Sequence, residues 1–245
     1  MNVTVWNENV AETNQEKSVL AVHPNGIHNT VKEIVEELGE DVHVTTATLQ
    51  EEELGLTDEV LNRTDVLIWW AHLAHDKVPD ELVAKIHQRV LDGMGLILLH
   101  SSHYSKLLKQ ILGTSGDLYW RENTYERMFC VNPTHPIAEG IPECIELGAE
   151  ECYAEFFDIP KPDDVIFLSW FDIGEVFRGG CTWTRGFGKI FYFQPGHETN
   201  HSYQNPHIRR IIQNACRWAC PTARKTREGA PHIDITREEQ RAKQA

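Results

Sequence analysis

Short apolar runs followed by helical spacing constrain the fold of this 245-residue chain most. Residues 96–99 (Leu-Ile-Leu-Leu) follow Gly93 and Gly95, and residues 66–70 (Val-Leu-Ile-Trp-Trp) precede a helix expected to end at Leu91. Strands that are apolar without alternation are typical of a parallel sheet covered on both faces. The pattern therefore predicts right-handed βαβ units and an α/β fold.

The remaining elements can be read in chain order. Strands are predicted at 1–6, 41–46, 65–70 and 96–99, and helices at about 27–38, 79–91, 103–112 and 206–219. Residues 7–26 are expected to form a long polar loop. Segments 125–131, 144–153 and 165–171 look extended, and Arg185-Gly186-Phe187-Gly188 predicts the turn of a C-terminal antiparallel hairpin. One domain is expected over 1–222, followed by an extended arm at 223–245.

The net charge limits the partners. A formal charge of −14 argues against nucleic acid and against an anionic membrane surface, because both need a basic face. There is no apolar run of the roughly 20 residues that a spanning helix needs, and no signal-peptide pattern at the N-terminus, so a cytoplasmic protein is expected. The six cysteines lack metal spacing and are expected to be buried thiols.

Histidines recur where predicted strands end. Because the carboxyl ends of neighbouring parallel strands meet at one edge of a sheet, side chains at these exits should converge. A flavodoxin-like strand order of 2-1-3-4-5 would bring three of the four exits together. The histidines at the four exits are His23 and His28, His72 and His75, His100 and His103, and His197 and His201.

Three chemistries could use such a cluster. A divalent metal, zinc most readily, would take imidazole or carboxylate ligands from separate loops. General acid–base catalysis would need a histidine oriented by a carboxylate, such as His197 with Glu198 or His103 with Glu151. A serine nucleophile at 101 or 102 is less favoured, because the glycines of a nucleophile elbow are absent.

A carboxylate-rich segment at 150–158 and nearby aromatic residues suit a polyol ligand, although an ion-pair network fits equally well. Glu151 and Glu155, four residues apart, are candidates for the site if the segment is helical, whereas Glu150 and Asp158 are expected to face water. The Gly186-x-Gly188 pair lies in a hairpin and is not a dinucleotide fingerprint, so no nucleotide cofactor is expected.

The sequence also contains several longer motifs: Gly26-Ile27-His28, Trp69-Trp70-Ala71-His72, His100-Ser101-Ser102-His103-Tyr104, Trp120-Arg121-Glu122, Glu150-Glu151-Cys152-Tyr153-Ala154-Glu155 and Gln194-Pro195-Gly196-His197-Glu198. Together these motifs resemble the ThuA-like family of trehalose-utilisation proteins over about residues 2–220.

The resemblance implies a three-layer, doubly wound, mostly parallel sheet similar to flavodoxin and to class I glutamine amidotransferases. Gly196-His197-Glu198 is similar to the end of the amidotransferase histidine–glutamate motif, although those two residues are normally separated by one residue. Ser101 and Ser102 stand where the amidotransferase cysteine would be, so no glutaminase activity is expected. Trehalose or a related keto-disaccharide is the implied substrate, and a sugar dehydrogenase is an implied partner.

We therefore expect an enzyme of disaccharide catabolism, an isomerase, lyase or hydrolase that enolises a keto sugar. The alternatives are a non-catalytic sugar-binding partner of a dehydrogenase and a zinc-dependent hydrolase. A homo-oligomer is expected by analogy with proteins that carry similar terminal arms. The expected catalytic residues are His103, His197, Glu198 and Glu151; the expected sugar-binding residues are Trp120, Arg121, Glu155, Arg178, Ser101 and Ser102; and the expected ligands of a possible metal are His28, His72, His103 and His197.

Overall fold

A mixed sheet organises the computed structural model, which describes residues 1–226, 229–230, 232 and 234–244. Within these residues the sheet has nine strands in the order β2-β1-β3-β4-β9-β8-β7-β5-β6. The strands are β1 (Asn2–Asn7), β2 (His43–Thr48), β3 (Val66–Trp70), β4 (Gly95–Leu99), β5 (Tyr119–Cys130), β6 (Cys144–Ala154), β7 (Asp164–Phe171), β8 (Val176–Arg185) and β9 (Gly188–Phe193).

The first half of the sheet is parallel. Strands β2, β1, β3, β4 and β9 pair in parallel, with Val66 opposite Val3 and Gly95 opposite Val66. Every residue of β3 and β4 is buried, because helices cover both faces of the sheet. The predicted α/β fold is confirmed in this half, and so is the predicted pairing of strands one, three and four.

The second half of the sheet is antiparallel, and it contains more strands than the single C-terminal hairpin that the sequence predicts for a mostly parallel sheet. The predicted hairpin is confirmed, since β8 and β9 pair from Gly180 and Phe193 to Arg185 and Gly188. Strands β7, β5 and β6 extend the same sheet by further antiparallel pairing. The sheet is thus mixed, because the extended segments pair with the parallel half through β9. Register shifts between Arg121 and Glu126 bend β5 relative to β6.

Helices pack on both faces. The helices are α1 (Val10–Thr13), α2 (Lys17–Val22), α3 (Ile27–Glu36), α4 (Asp58–Arg63), α5 (Asp80–Leu91), α6 (Lys106–Leu112), α7 (Pro206–Ala219) and α8 (Arg237–Ala242). Buried side chains of α4, α5 and α6 join one core, and those of α3 and α7 join the core on the opposite face. The parallel half therefore has three layers: the sheet in the middle and a layer of helices on each face.

Two sequence predictions about helices are wrong. Residues 7–26 hold α1 and α2 instead of one polar loop, because Val19 is buried against the core and Glu12 binds the backbone N–H of Ile27. The helix expected from residue 103 begins at Lys106. A 3₁₀ turn at His100–Tyr104 precedes it, and the Oγ of Ser105 accepts from the N–H of Leu108 as its N-cap.

The residues after α7 lie partly against the domain. The Arg224 guanidinium is 2.6 Å from Asp65 Oδ1, and the N–H of Lys225 donates to the carbonyl of Asp92. The extended arm at 223–245 stays a prediction, and residues 227, 228, 231, 233 and 245 lie outside the described part of the chain. Among the described helices, none combines the length and the apolar character that crossing a bilayer requires.

The cysteines behave mainly as small apolar residues. All six thiols are free; Cys152, Cys181 and Cys216 are buried as predicted, and the other three are half-buried. Burial raises the pKa of Cys181 to about 12, and it raises the pKa of Cys152 to about 11. These two thiols are protonated at neutral pH and are poor nucleophiles.

Candidate functional site

A cavity of about 560 Å³ opens where β3, β4 and β9 end. Parallel strands of an α/β sheet commonly bind ligands at this edge, since the loops that follow neighbouring strands meet there. Its lining combines histidines, carboxylates and aromatic rings. The lining residues are His72, His75, Ser101, His103, Tyr104, Asp117, Leu118, Trp120, Glu122, Glu151, Tyr153, His197, Glu198 and Thr199.

His100 occupies the turn that ends β4. Its φ of +48° lies in the left-handed region, where a residue other than glycine is strained. Such a turn between a strand and a helix carries the nucleophile in enzymes with a nucleophile elbow. The elbow residue is therefore His100, and the expectation that Ser101 or Ser102 stands at that point is wrong.

His100 is completely buried and forms an ion pair with Glu151. Its Nδ1–H donates to the carbonyl of Gln194 at 2.7 Å, and its Nε2 lies 3.0 Å from Oε2 of Glu151. Burial alone would lower the pKa of His100, but the hydrogen bond and charge of Glu151 outweigh burial and raise the pKa to about 9. Burial opposes ionisation of Glu151, yet the same contact keeps its pKa below the ordinary value.

Tyr153 connects this ion pair to the cavity. Its ring stacks on the imidazole of His100, with centroids 5.0 Å apart. Its hydroxyl lies 3.3 Å from Nε2 of His100 and 3.0 Å from the Oγ of Ser101. Burial raises the pKa of Tyr153 well above its ordinary value, so the phenol stays protonated and can donate a hydrogen bond.

His103 lies beside the cavity in its neutral form. Its Nδ1–H donates to the carbonyl of Gly116 at 2.7 Å, which leaves Nε2 as a lone-pair acceptor. Burial lowers the pKa of His103 to about 4, and the charge of His100 acts in the same direction. Gly116 has a φ of +69°, and a Cβ there would lie 2.2 Å from the carbonyl oxygen of His103, so only glycine fits.

Glu198 pairs with His72 rather than with its neighbour. Nδ1 of His72 is 3.0 Å from Oε1 of Glu198, whereas Nε2 of His197 is 3.8 Å from Oε2. Burial favours the neutral acid, but the hydrogen bond and charge of His72 lower the pKa of Glu198 to about 2. Burial lowers the pKa of His72, but this contact outweighs it and raises the pKa above its ordinary value. Within the described residues, Oε2 of Glu198 is buried without a hydrogen-bond partner.

Glu150 anchors the loop that carries His197. Its Oε1 accepts from the backbone N–H of His197 at 3.3 Å and from the amide of Asn200 at 3.2 Å, and its Oε2 accepts from the Oγ of Ser202. The expectation that Glu150 faces water is wrong, because its side chain is buried and its carboxylate accepts hydrogen bonds from these protein groups instead of from water. The ring of His197 is held in turn by the Oγ1 of Thr199, 2.9 Å from Nδ1.

Glu8 anchors the loop after β3 in a similar way. Its buried carboxylate accepts three backbone N–H groups, from His72, Leu73 and Ala74, at 2.7–2.9 Å. This contact positions the ring of His72 at the cavity. The neighbouring Ser102 is structural, since its Oγ donates to the carbonyl of Trp69 and accepts from the N–H of Ala71.

The predicted sugar-binding residues separate into two groups. Trp120 lines the cavity with 60% of its surface exposed, and Ser101 lines it through the contact with Tyr153. Arg121 pairs with Glu175. Glu155 and Arg178 form a two-pronged ion pair, Nε to Oε1 at 2.7 Å and Nη2 to Oε2 at 2.8 Å, outside the cavity lining. The helix proposed for Glu151 and Glu155 is wrong, since Glu151 lies in β6.

The four histidines predicted as metal ligands are spread over the site. His72, His103 and His197 line the cavity, whereas His28 lies beside Asn7, 3.2 Å from its amide nitrogen. A closer group of candidate ligands in the described chain is His100, Glu151 and His197, whose ligand atoms all lie within 4.8 Å of one another.

Several site residues were not identified from the sequence. His100 was recognised as part of a histidine-rich exit, but its left-handed turn and its pairing with Glu151 depend on the fold. Tyr153 and Glu150 come from β6, the strand at the far edge of the sheet, and yet the hydroxyl of Tyr153 lies 3.3 Å from Nε2 of His100. The available signal was the alternation of residues 150–153, which in a strand places Glu151 and Tyr153 on one face.

Comparison with known proteins agrees with this architecture. A ThuA-like protein from Parabacteroides merdae has a TM-score of 0.67 at 15% identity, over 92% of this chain and 91% of that chain. A cytoplasmic protein of Salmonella typhimurium has a TM-score of 0.62 at 14% identity, over 91% of this chain and 100% of that one. A β-galactosidase from Bacillus circulans has a TM-score of 0.53 at 10% identity, and the match covers 89% of this chain but 31% of that enzyme. At these identities the likeness shows the fold alone.

The family of the chain is shown by comparing its whole sequence with models of known families. No curated protein matches the chain at a significant level. The model of the family described as ThuA, trehalose utilisation, matches residues 2–219. Because this match spans nearly all of the chain, the protein belongs to the ThuA trehalose-utilisation family, with a role in carbohydrate utilisation.

Proposed function

We propose that this protein is an enzyme that enolises a keto-disaccharide derived from trehalose or a related sugar. The observation that carries the proposal is the grouping of a neutral histidine, two carboxylate–histidine pairs and a buried phenol around one cavity with an exposed tryptophan at its rim. Proton donors and acceptors at one ligand site are what enolisation needs. The indole face of Trp120 suits the C–H face of a pyranose ring.

The reaction begins with removal of a proton from the carbon next to the ketone. Nε2 of His103 accepts this proton, and the C–H electron pair forms the enolate double bond while the charge moves to the keto oxygen. Nδ1–H of His103 keeps donating to Gly116, which fixes the ring orientation throughout. His103 is a weak base, so the keto oxygen must be stabilised by a donor in the same cavity, and the hydroxyl of Tyr153 is suited to that role.

The second half of the reaction needs an acid. If the glycosidic oxygen is on the next carbon, reforming the carbonyl expels that oxygen as a leaving group, which takes a proton from His72 while Glu198 holds the ring. The products are then an unsaturated keto sugar and a free sugar. If the carbon that lost its proton carries a hydroxyl group, the intermediate is an enediolate. Moving the hydroxyl proton to the former keto oxygen and returning the carbon-bound proton to the former ketone carbon then gives the isomeric ketone, with no bond between the two sugars cleaved.

The cellular setting follows from the same chemistry. A ketone on a disaccharide must be formed by oxidation of a hydroxyl group, so a sugar dehydrogenase is the proposed partner upstream. We further propose a cytoplasmic homo-oligomer with a flavodoxin-like, class I glutamine amidotransferase-like fold, which the strand order 2-1-3-4 in the parallel half supports. A monomer mass by light scattering would contradict the oligomer.

The test is turnover of keto-disaccharides by the wild type and by two variants, His103→Ala and His72→Ala, which remove the proposed base and the proposed acid. Loss of a general base lowers kcat by about 10²- to 10⁴-fold. His43→Ala, on an exposed position of β2, is the matched control and should retain full activity. Unchanged turnover in both cavity variants would overturn the proposal. Tight sugar binding by a wild type with no turnover would favour the non-catalytic binding partner instead.

A further inference from the structure

We propose that His100, Glu151 and His197 bind one divalent first-row transition-metal ion, zinc most readily, at the floor of the cavity. Two imidazoles and one carboxylate are a donor set that zinc accepts, with positions left for water or substrate. The three residues come from three separate parts of the fold: the turn after β4, the end of β6 and the loop after β9. This set differs from the four histidines that the sequence suggests.

The distances are close to those of a ligand shell. The candidate ligand atoms lie within 4.8 Å of one another, and Nε2 of His100 is 3.0 Å from Oε2 of Glu151. Zinc bonds of about 2.0–2.2 Å in a tetrahedral shell separate neighbouring ligand atoms by roughly 3.4 Å. Side-chain movements of about an ångström therefore close the group around an ion.

Both imidazoles are oriented through their other nitrogen. Nδ1–H of His100 donates to the carbonyl of Gln194 at 2.7 Å. Nδ1 of His197 lies 2.9 Å from the Oγ1 of Thr199 and 3.3 Å from the backbone N–H of the same residue, so Thr199 fixes the position of the His197 ring. Oxygen acceptors at the second nitrogen are the usual support of metal-binding histidines, because they fix the tautomer and the ring plane. The carbonyl of Gln194 leaves Nε2 of His100 as the coordinating nitrogen, and Nε2 of His197 coordinates in the tautomer whose Nδ1–H donates to the Oγ1 of Thr199.

The surrounding charge favours a cation. Glu151 and Glu198 are both at least nine-tenths buried, and within the described residues Oε2 of Glu198 has no hydrogen-bond partner. That oxygen lies 3.8 Å from Nε2 of His197. Unpaired buried carboxylate oxygens are costly, and a nearby cation or its bound water would satisfy this one.

The simpler alternative is a proton in place of the ion. His100 and Glu151 would then be a buried ion pair, with His197 as an independent neighbour. The metal ion and the proton differ in whether they need His197. An ion is bound by all three residues, whereas a proton shared by His100 and Glu151 does not need His197. A role of the ion in polarising the keto oxygen rests on the proposed function, whereas binding of the ion does not.

The test is a zinc titration of the full-length protein after removal of metal with a chelator, read by a competing fluorescent indicator and by elemental analysis. The variants are His100→Asn, Glu151→Gln and His197→Asn; asparagine tolerates the left-handed backbone at position 100. His103→Asn lines the same cavity outside the ligand group and is the matched control for zinc binding. Circular dichroism shows whether each variant is folded, and Mg²⁺ alone is the negative control.

We expect about one equivalent of zinc in the wild type and in His103→Asn. We expect binding more than about 100-fold weaker in each of the three ligand variants and about 10- to 100-fold weaker in Thr199→Val. Zinc should also raise the Tm of the wild type but not of folded Glu151→Gln. A wild type that binds no zinc, or a His197→Asn variant that binds it as tightly as the wild type, would overturn the metal site. Because no sugar is present, either result leaves the proposed enolisation to be judged separately.

Discussion

At the scale of single residues, the structure separates histidines that differ little in the sequence. His100 and His103 are three positions apart, yet Glu151 raises the pKa of the first against the effect of burial, while burial lowers the pKa of the second. The sequence predicted His103 with Glu151 and His197 with Glu198, but the closest contacts join His100 to Glu151 and His72 to Glu198. Which histidine contacts which carboxylate depends on how the loops pack in three dimensions, and residue spacing does not encode that packing.

Glu126 is a further buried carboxyl, close to Glu150 and His100. It lies in β5, fully buried, and neither carboxyl oxygen has a hydrogen-bond partner in the part of the chain that is described. Burial, with the nearby charge of Glu150, raises the pKa of Glu126 to about 8. The residue is therefore a neutral acid at pH 7, and folding retains a proton that the unfolded chain loses above its ordinary pKa.

This proton sets a pH dependence. Between about pH 4.5 and 8 the folded state binds more protons than the unfolded state, so the contribution of Glu126 to the free energy of unfolding falls as pH rises. At pH 7 the free energy of unfolding of Glu126→Gln should exceed that of the wild type by up to about 3 kcal/mol, and the difference should disappear near pH 4.5. Urea unfolding at several pH values measures this difference, and Glu143→Gln, at an exposed position, is the control. An advantage of Glu126→Gln that is constant with pH would contradict the assignment.

At the scale of elements, strands that are buried on both faces were predictable and the loops between them were not. The apolar runs at 66–70 and 96–99 predict buried strands directly, because a short run without polar residues is typical of a parallel strand covered on both faces. Helices α1 and α2 are four and six residues long and owe their position to tertiary contacts. The same holds for the loop that carries His72, whose anchor Glu8 is more than sixty positions away in the sequence.

The Glu8 anchor can be tested through its loop. Glu8→Gln removes the charge from three hydrogen bonds at 2.7–2.9 Å and leaves one acceptor oxygen, so it should cost about 1.5–3 kcal/mol of stability. Hydrogen exchange of the amides of residues 72–74 should accelerate well beyond that of β3. Glu16→Gln, at an exposed position, is the control. Unchanged protection of these amides in Glu8→Gln would show that the carboxylate does not hold the loop.

At the scale of the whole molecule, the site lies where the two halves of the sheet meet. The parallel half supplies the histidines at 72, 100, 103 and 197, and the antiparallel strands β5 and β6 supply Glu150, Glu151, Tyr153 and Trp120. The sequence predicted the first half because βαβ units are local. The antiparallel pairing was not predictable in the same way, because register between distant strands is fixed by packing and by bulges.

The most direct test of the enolisation claim is solvent exchange on a keto-disaccharide. The wild-type protein and 3-keto-trehalose are incubated in D₂O, and the hydrogen on the carbon next to the ketone is followed by NMR. Enolisation predicts enzyme-dependent loss of that signal, at least about 10²-fold slower in His103→Ala, whether the sugar is then isomerised or cleaved. The proposed chemistry would be contradicted if the protein binds the sugar but this hydrogen exchanges no faster than it does in protein-free solution.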